Sequence, residues 1–247
     1  MADGPVRPPG DRHAVARLTE LARWAAGMVV GLVTYPFTRV PLYRRNRRQF
    51  TDGGPRPDPE RPVPGDRSTL QRIPDGVGPV YHRRYWIDLT DADHGPEEVI
   101  AALSADLNVA SPVEIARFDK TSGGGGRMAV GDEYVVRLPG PWNGPVRVVD
   151  VSDRSFRFVT LRGHVEAGEI QFRCDEIDPG CLRFSIESWA RSRDRTVNWL
   201  YDRVAFAREL QLHTWGHFCE RIVDVAGATP LSRVEVLTER IRPEEMT

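Results

Sequence analysis

The sequence predicts an α+β fold: a curved antiparallel sheet of six or seven strands wrapped around a long C-terminal helix, with an N-terminal helical extension. Three observations carry this. Successive segments between Val80 and Ala190 alternate apolar and polar residues with a period of two, which is the pattern of strands with one buried face. Residues Thr196–Ala226 carry an apolar stripe at steps of three and four, which is the pattern of a helix about 45 Å long. Only one other helical pattern interrupts the strands, so the long helix is the element large enough to cover the apolar side of the sheet. With 40% hydrophobic and 28% charged residues, wholesale disorder is excluded.

The chain begins with a Pro-, Gly- and charge-rich tail at residues 1–12, and a helical pattern starts near His13. Trp24–Thr38 is free of charge and is followed by Arg39, Arg44, Arg45, Arg47 and Arg48. As a helix this run reaches only about 22 Å, short of a hydrocarbon core of roughly 30 Å, and Pro36 would kink or end it. Two readings stay open for residues 13–48. One is a peripheral membrane contact, with Trp24 and Tyr35 at headgroup depth and the arginines on anionic lipid. The other is a helix packed on its own domain or on a second copy in a homodimer. Residues 1–50 are therefore read as tail plus apolar helix. Seven prolines and five glycines mark residues 51–79 as an extended linker.

The folded domain is expected over residues 80–228, with a C-terminal tail at 229–247. Val80–Leu89 is a strand by its Tyr, Trp, Val and Ile content. Asp93 and Pro96 open a helix whose apolar face is Val99, Ile100, Leu103 and Leu107. Strands follow at Glu133–Leu138, Pro145–Val151, Ser155–Leu161, Glu169–Cys174 and Leu182–Ala190. Phe156, Phe158 and Thr160 share one face, as do Ile170, Phe172 and Cys174, and Leu182, Phe184, Ile186 and Ser188. Arg157, Glu169, Arg173, Arg183 and Glu187 fall on the opposite face, expected to be wet. The long helix stops at Gly227 and Pro230. Its stripe is Leu200, Val204, Ala207, Gln211, Trp215, Phe218, Ile222 and Val225.

This order of elements resembles the helix-grip fold of the START-like superfamily, which includes lipid-transfer domains, polyketide cyclases and aromatases. A more local resemblance lies in Thr160–Glu169, Phe184–Ser192 and Glu209–Gln211. These look like an uncharacterised bacterial and plant family filed as a domain of unknown function. That family tends to show a Gly-His…Gly-Glu-Glu run. Here the second Glu is Ile170, so any role of that carboxylate in the family is missing from this chain.

Several chemistries are excluded. A net charge of −1 argues against a nucleic-acid partner. Cys174, Cys181 and Cys219 are too few and too scattered for a disulfide framework or zinc knuckle, which fits a reduced, cytoplasmic setting. Lys120 is the single lysine, so Schiff-base chemistry has one candidate. Gly124-x-Gly126-x-x-Ala129 imitates a dinucleotide fingerprint but precedes a strand where a helix is required. No cofactor is expected.

The candidate catalytic residues are His164, Glu166, Gln211 and His213. His164, with Glu166 and Glu169 nearby in an expected loop, has the composition of a general base oriented by a carboxylate. Gln211 interrupts the apolar stripe, and a buried amide must find partners. His213 and His217 share a helix face with Glu209, but a metal site needs a third ligand that the sequence does not supply, and no metal is assigned. The expected ligand walls are Phe156, Phe158, Ser188, Trp189 and Trp215. Trp189 would fall on the outer face of a regular strand and would need a bulge to turn inward. The resemblance implies a small hydrophobic molecule held between sheet and helix. Two classes of function stay open. One is a cofactor-independent cyclase-, dehydratase- or lyase-like enzyme of secondary metabolism. The other is a non-catalytic carrier of lipid or hydrophobic ligand attached peripherally to a membrane.

Overall fold

Among the residues described by the computed structural model, ten strands form one sheet. The backbone is described at 42–46, 63–138, 143–194 and 205–241, and the side chains at 63–138, 143–194 and 211–241. The elements are β1 (Leu42–Asn46), β2 (Val77–Thr90), α1 (Pro96–Ala105), β3 (Arg117–Ser122), β4 (Glu133–Arg137), β5 (Asn143–Val151), β6 (Ser155–Thr160), β7 (Glu166–Asp178), β8 (Cys181–Ser192), α2 (Ala205–Ala226), β9 (Thr229–Pro230) and β10 (Val234–Ile241). The strand order is β1-β10-β2-β8-β7-β6-β5-β4-β3, with β9 on β2. Neighbours are antiparallel except β1 and β10, which run parallel. The curved sheet wraps α2, giving a helix-grip α+β fold. Six of the strands, β2 and β4 to β8, are those located in the sequence; β1, β3, β9 and β10 are not.

The alternation sets the concave face. Tyr85, Ile87 and Leu89 of β2, Leu182, Phe184 and Ile186 of β8, Phe172 and Cys174 of β7, and Phe156 and Phe158 of β6 are buried in one core with Val99, Ile100 and Leu103 of α1 and Phe218 and Ile222 of α2. The rings interlock. Phe156 stacks on Phe172 at 4.8 Å, Phe172 meets Phe218 at 5.4 Å, and Phe218 lies on Phe184 at 6.0 Å. Such pairs add to the area term that drives the burial. Helix α1 starts where expected: Pro96 needs no N–H partner in the first turn, and the Glu98 carboxylate accepts the Gly95 N–H at 2.8 Å. Helix α2 stops at Gly227, whose φ is 59°; a Cβ there would come within 2.6 Å of Asp93 Oδ2.

The structure corrects expectations about both the flanks and the faces. Residues 234–241, read as tail, form β10. Val234, Val236 and Ile241 are buried, and the strand runs along β2 from Glu235–Trp86 to Ile241–Val80. Within the stretch read as a helical extension, Leu42–Asn46 is strand β1. Trp24–Thr38, Leu200 and Val204 lie outside the described residues, as does the side chain of Ala207. No helix among the described residues is long and apolar enough to cross a membrane.

The outer face is not uniformly wet. Val149, Val159 and Leu161 form a second apolar cluster there with Val63 and Leu70, from the segment read as linker. These three residues lie out of phase with Phe156 and Phe158, so β5 and β6 are apolar on both sides and need a second cover. Arg147 fastens that cover. Its guanidinium donates to the carbonyls of Pro64 and Asp66, both at 3.1 Å, to Thr69 Oγ1 at 3.0 Å and to the Glu133 carboxylate. Glu169, expected to be wet, is buried on this face as well. Strand β3 carries one buried apolar residue, Phe118, among polar ones, so it has no alternation to read.

Candidate functional site

Strand β7 starts at Glu166, not Glu169, and this sets the site. Side chains along a strand alternate between faces, so residues three apart point oppositely. Glu166 lies on the concave face with Ile170 and Phe172. Glu169 lies on the convex face, 3.6 Å from Arg157. The expected cluster of His164, Glu166 and Glu169 is therefore divided by the pleat.

His164 closes the β6–β7 turn. Its Nδ1 accepts the Glu166 backbone N–H at 2.9 Å, and its ring packs over Gly144, where an added Cβ would lie 2.9 Å from Nε2. Packing pulls its pKa below the ordinary 6.5, against a smaller upward pull from the Glu166 carboxylate. This is a neutral, structural imidazole bonded to the backbone of Glu166. The expected base oriented by a carboxylate is not assembled.

The Glu166 carboxylate instead enters the interface between sheet and helix. Oε1 faces Arg83 Nη1 at 3.2 Å, and Oε2 accepts from Gln211 Nε2 at 3.1 Å. Glu166 and Arg83 are only 8% and 4% exposed, so the charges are held by each other and by the amide. Behind them, Gln71 Nε2 donates to the carbonyls of His164 at 2.9 Å and Glu166 at 2.8 Å. The Thr160 hydroxyl donates to Gln71 O at 2.6 Å and accepts the Gly168 N–H at 3.0 Å. The backbone carrying Glu166 is thus fixed by Gln71 and Thr160.

Beside this polar group the sheet floor is built from small residues. Gly168 pairs with Ala190, and Ile170 with Ser188. At Gly168 the two strands approach so closely that a Cβ would meet Trp189 O at 2.0 Å, which only glycine permits. Helix α2 touches β7 on either side of this floor: Gln211 at Glu166, and Trp215 at Phe172, with ring centroids 5.6 Å apart. Ile170 lies on the same concave face and keeps partial exposure, although its neighbours Phe158 and Phe172 are sealed. Three buried polar atoms around the floor, Ser188 Oγ, Gln211 Oε1 and Trp215 Nε1, have no hydrogen-bond partner among the described residues.

Of the sequence candidates, Glu166, Gln211, Ser188 and Trp215 come together. Phe156 and Phe158 form the sealed aromatic base of the core. Trp189 does not join them. The β2–β8 register is unbroken from Tyr81 to Thr90, so Trp189 stays on the convex face, stacked on His82 at 5.1 Å with Arg157 on its ring at 5.9 Å. His213 is two residues from Gln211, a rotation of about 200° around the helix, and so leaves the stripe. Its Nε2 lies 3.1 Å from His217 Nε2, and His217 Nδ1 lies 3.3 Å from Glu220. Among the described residues no group of three side chains could hold a metal ion. Lys120 is bound to Asp132 at 2.7 Å and to Gly124 O at 2.7 Å, outside the cluster.

The residue that sequence reading missed is Arg83. Its signal was its phase: it alternates with Tyr85, Ile87 and Leu89, so a charge stands in an apolar row. Gln71 was missed because the segment around it reads as linker.

A family described as a domain of unknown function, DUF1990, matches residues 112–221. No curated protein matches the chain in sequence. Among solved structures, a conserved protein from Geobacillus kaustophilus is 14% identical over 60% of this chain and 98% of that one, with a TM-score of 0.40. Norcoclaurine synthase from Thalictrum flavum, solved with dopamine and hydroxybenzaldehyde, is 11% identical over 62% of this chain and 92% of that one, with a TM-score of 0.43. A hypothetical protein from Helicobacter pylori is 9% identical over 58% of this chain and 86% of that one, with a TM-score of 0.42.

Proposed function

We propose that the chain binds a small, largely apolar molecule between the sheet and α2, as a binding or carrier protein. The observation that carries this reading is the group of unpartnered polar atoms around a floor of small residues: Ser188 Oγ, Gln211 Oε1 and Trp215 Nε1 above Gly168 and Ala190. Native interiors satisfy nearly all buried polar groups, and each unsatisfied one costs about 1–3 kcal/mol. Three around one space are accounted for by a ligand that supplies the missing bonds. The partial exposure of Ile170 supports an entrance at the same place.

A catalytic reading has less support. Both oxygens of Glu166 are engaged, by Arg83 and Gln211, and Nδ1 of His164 accepts a backbone N–H. A proton taken up by Glu166 would discharge its pair with Arg83, and one placed on His164 Nδ1 would displace the Glu166 N–H.

The test is titration with N-phenyl-1-naphthylamine, a neutral apolar dye whose emission rises on leaving water. Saturable binding is expected. Ile170→Trp, which fills the space in front of the floor, should abolish it while the thermal midpoint is kept. If the wild-type chain gives no saturable signal, or if Ile170→Trp folds and binds the dye unchanged, the reading is wrong.

A further inference from the structure

The pattern of unpartnered atoms also describes the molecule that would complete it. This inference rests on the binding reading above and adds the class of ligand.

The three atoms are fixed by register and by the helix. Ser188 lies between Arg83 on β2 and Ile170 on β7, on the concave face. Along β7 it stands between Glu166, where Gln211 touches the sheet, and Phe172, where Trp215 does. Gln211 and Trp215 are one helical turn apart, about 6 Å along the axis. The polar atoms therefore lie in one stretch of the interface between sheet and helix, from Glu166 to Phe172, beside the Gly168–Ala190 pair. Ser188 is only 3% exposed, so its hydroxyl cannot turn to water.

Their chemistry is specific. The indole N–H of Trp215 donates only, the Ser188 hydroxyl donates or accepts, and the carbonyl oxygen Gln211 Oε1 accepts only, while one N–H of Nε2 is held by Glu166. All three are neutral. The ionised side chains that border the space among the described residues, Arg83 and Glu166, already neutralise each other. A ligand bringing its own charge would lack a counter-charge and would meet the desolvation cost of an unpaired buried ion.

We infer that the site selects an uncharged flat molecule carrying a carbonyl oxygen and a hydroxyl or N–H group, and that it discriminates against carboxylates and amines of the same shape. The carbonyl accepts from Trp215 Nε1 and Ser188 Oγ, and the hydroxyl or N–H donates to Gln211 Oε1. The aromatic wall of Phe172 and Trp215 takes the ring.

The experiment is displacement of the naphthylamine dye from the full chain by naphthalene, 2-acetonaphthone, 2-naphthol and 2-naphthoate, near neutral pH. These share one ring system and differ in the polar group. The ketone and the alcohol should displace at roughly tenfold lower concentration than naphthoate. Ser188→Ala should weaken the ketone by about three- to tenfold, the size of one hydrogen bond, and leave naphthalene unchanged; Trp215→Phe, which also trims the aromatic wall, should weaken the ketone by about three- to tenfold more than it weakens naphthalene. Gln211→Leu should weaken the alcohol more than the ketone. The inference is overturned if naphthoate binds as tightly as the neutral compounds, if a folded Arg83→Met variant loses naphthoate but keeps naphthalene, or if the three variants weaken all four compounds alike. In those outcomes the dye still binds and the binding reading stands; absence of dye binding in the wild type removes both.

Discussion

Gln211 Nε2 lies 3.1 Å from Glu166 Oε2, joining residues 45 positions apart and tying the long helix to the second half of the sheet. The carboxylate's other oxygen meets Arg83, so one buried anion links β7, β2 and α2. A hydrogen bond to a charged group is worth about 1.5–3 kcal/mol net. In a double-mutant cycle of Gln211→Leu and Glu166→Gln, measured by denaturant unfolding, a coupling of about 1–2 kcal/mol is expected. Arg83→Met alone leaves the Glu166 charge buried without its main partner and should cost about 3–5 kcal/mol. Additive single variants would show that the amide and the carboxylate do not act together.

Ser188→Ala should not destabilise the protein. The hydroxyl has no partner among the described residues, so its removal relieves a desolvation cost and should raise stability by about 1 kcal/mol. The same change should weaken binding of a carbonyl ligand. A loss of stability above about 1 kcal/mol would mean that the hydroxyl is bonded in the folded state.

His164 gives a pH dependence with a definite sign. Its pKa is lowered from 6.5 chiefly by burial, so the unfolded chain takes up the proton first as pH falls. Stability from this group is fully present above about pH 6.5 and declines below it, by up to about 1.4 kcal/mol per pH unit until the folded imidazole is protonated too. His164→Asn keeps an acceptor for the Glu166 N–H but does not titrate. Followed by thermal unfolding from pH 7.5 to 5, the variant should lose less stability on acidification than the wild type. Parallel curves would place the pKa of His164 at its ordinary value.

Arg147 holds the 63–70 segment on the outer face through bonds to Pro64, Asp66, Thr69 and Glu133. Arg147→Met should cost about 2–4 kcal/mol and open this segment to limited proteolysis, because the carbonyls it satisfies and the Val63–Leu70 cover are released together. Val159 and Leu161 would then be exposed, and dye binding at the concave site should change little. Unchanged protection of the segment would show that the apolar contacts alone hold it.

Much of the architecture was legible in the chain itself. Period-two alternation in Ser155–Leu161, Glu169–Cys174 and Leu182–Ala190 determined which side chains share a face, because the pleat leaves a strand no other choice. The stripe Gln211, Trp215, Phe218 and Ile222 determined which side of the helix meets the sheet, and Gly227 determined its end. The interruption at Gln211 marked a polar contact. Its partner was decided elsewhere: Arg83, Glu166 and Gln211 are linked only because β2, β8 and β7 are neighbours, and strand order is a property of long-range pairing. The same holds for β10, whose apolar residues change face between Val236 and Leu237 and whose place beside β2 is a long-range pairing, and for Val63 and Leu70, which look like linker until a second apolar face requires a cover. The division between Glu166 and Glu169 depended on where β7 begins. A shift of three residues reverses a face, so local sequence named both carboxylates and only the register decided which way each points.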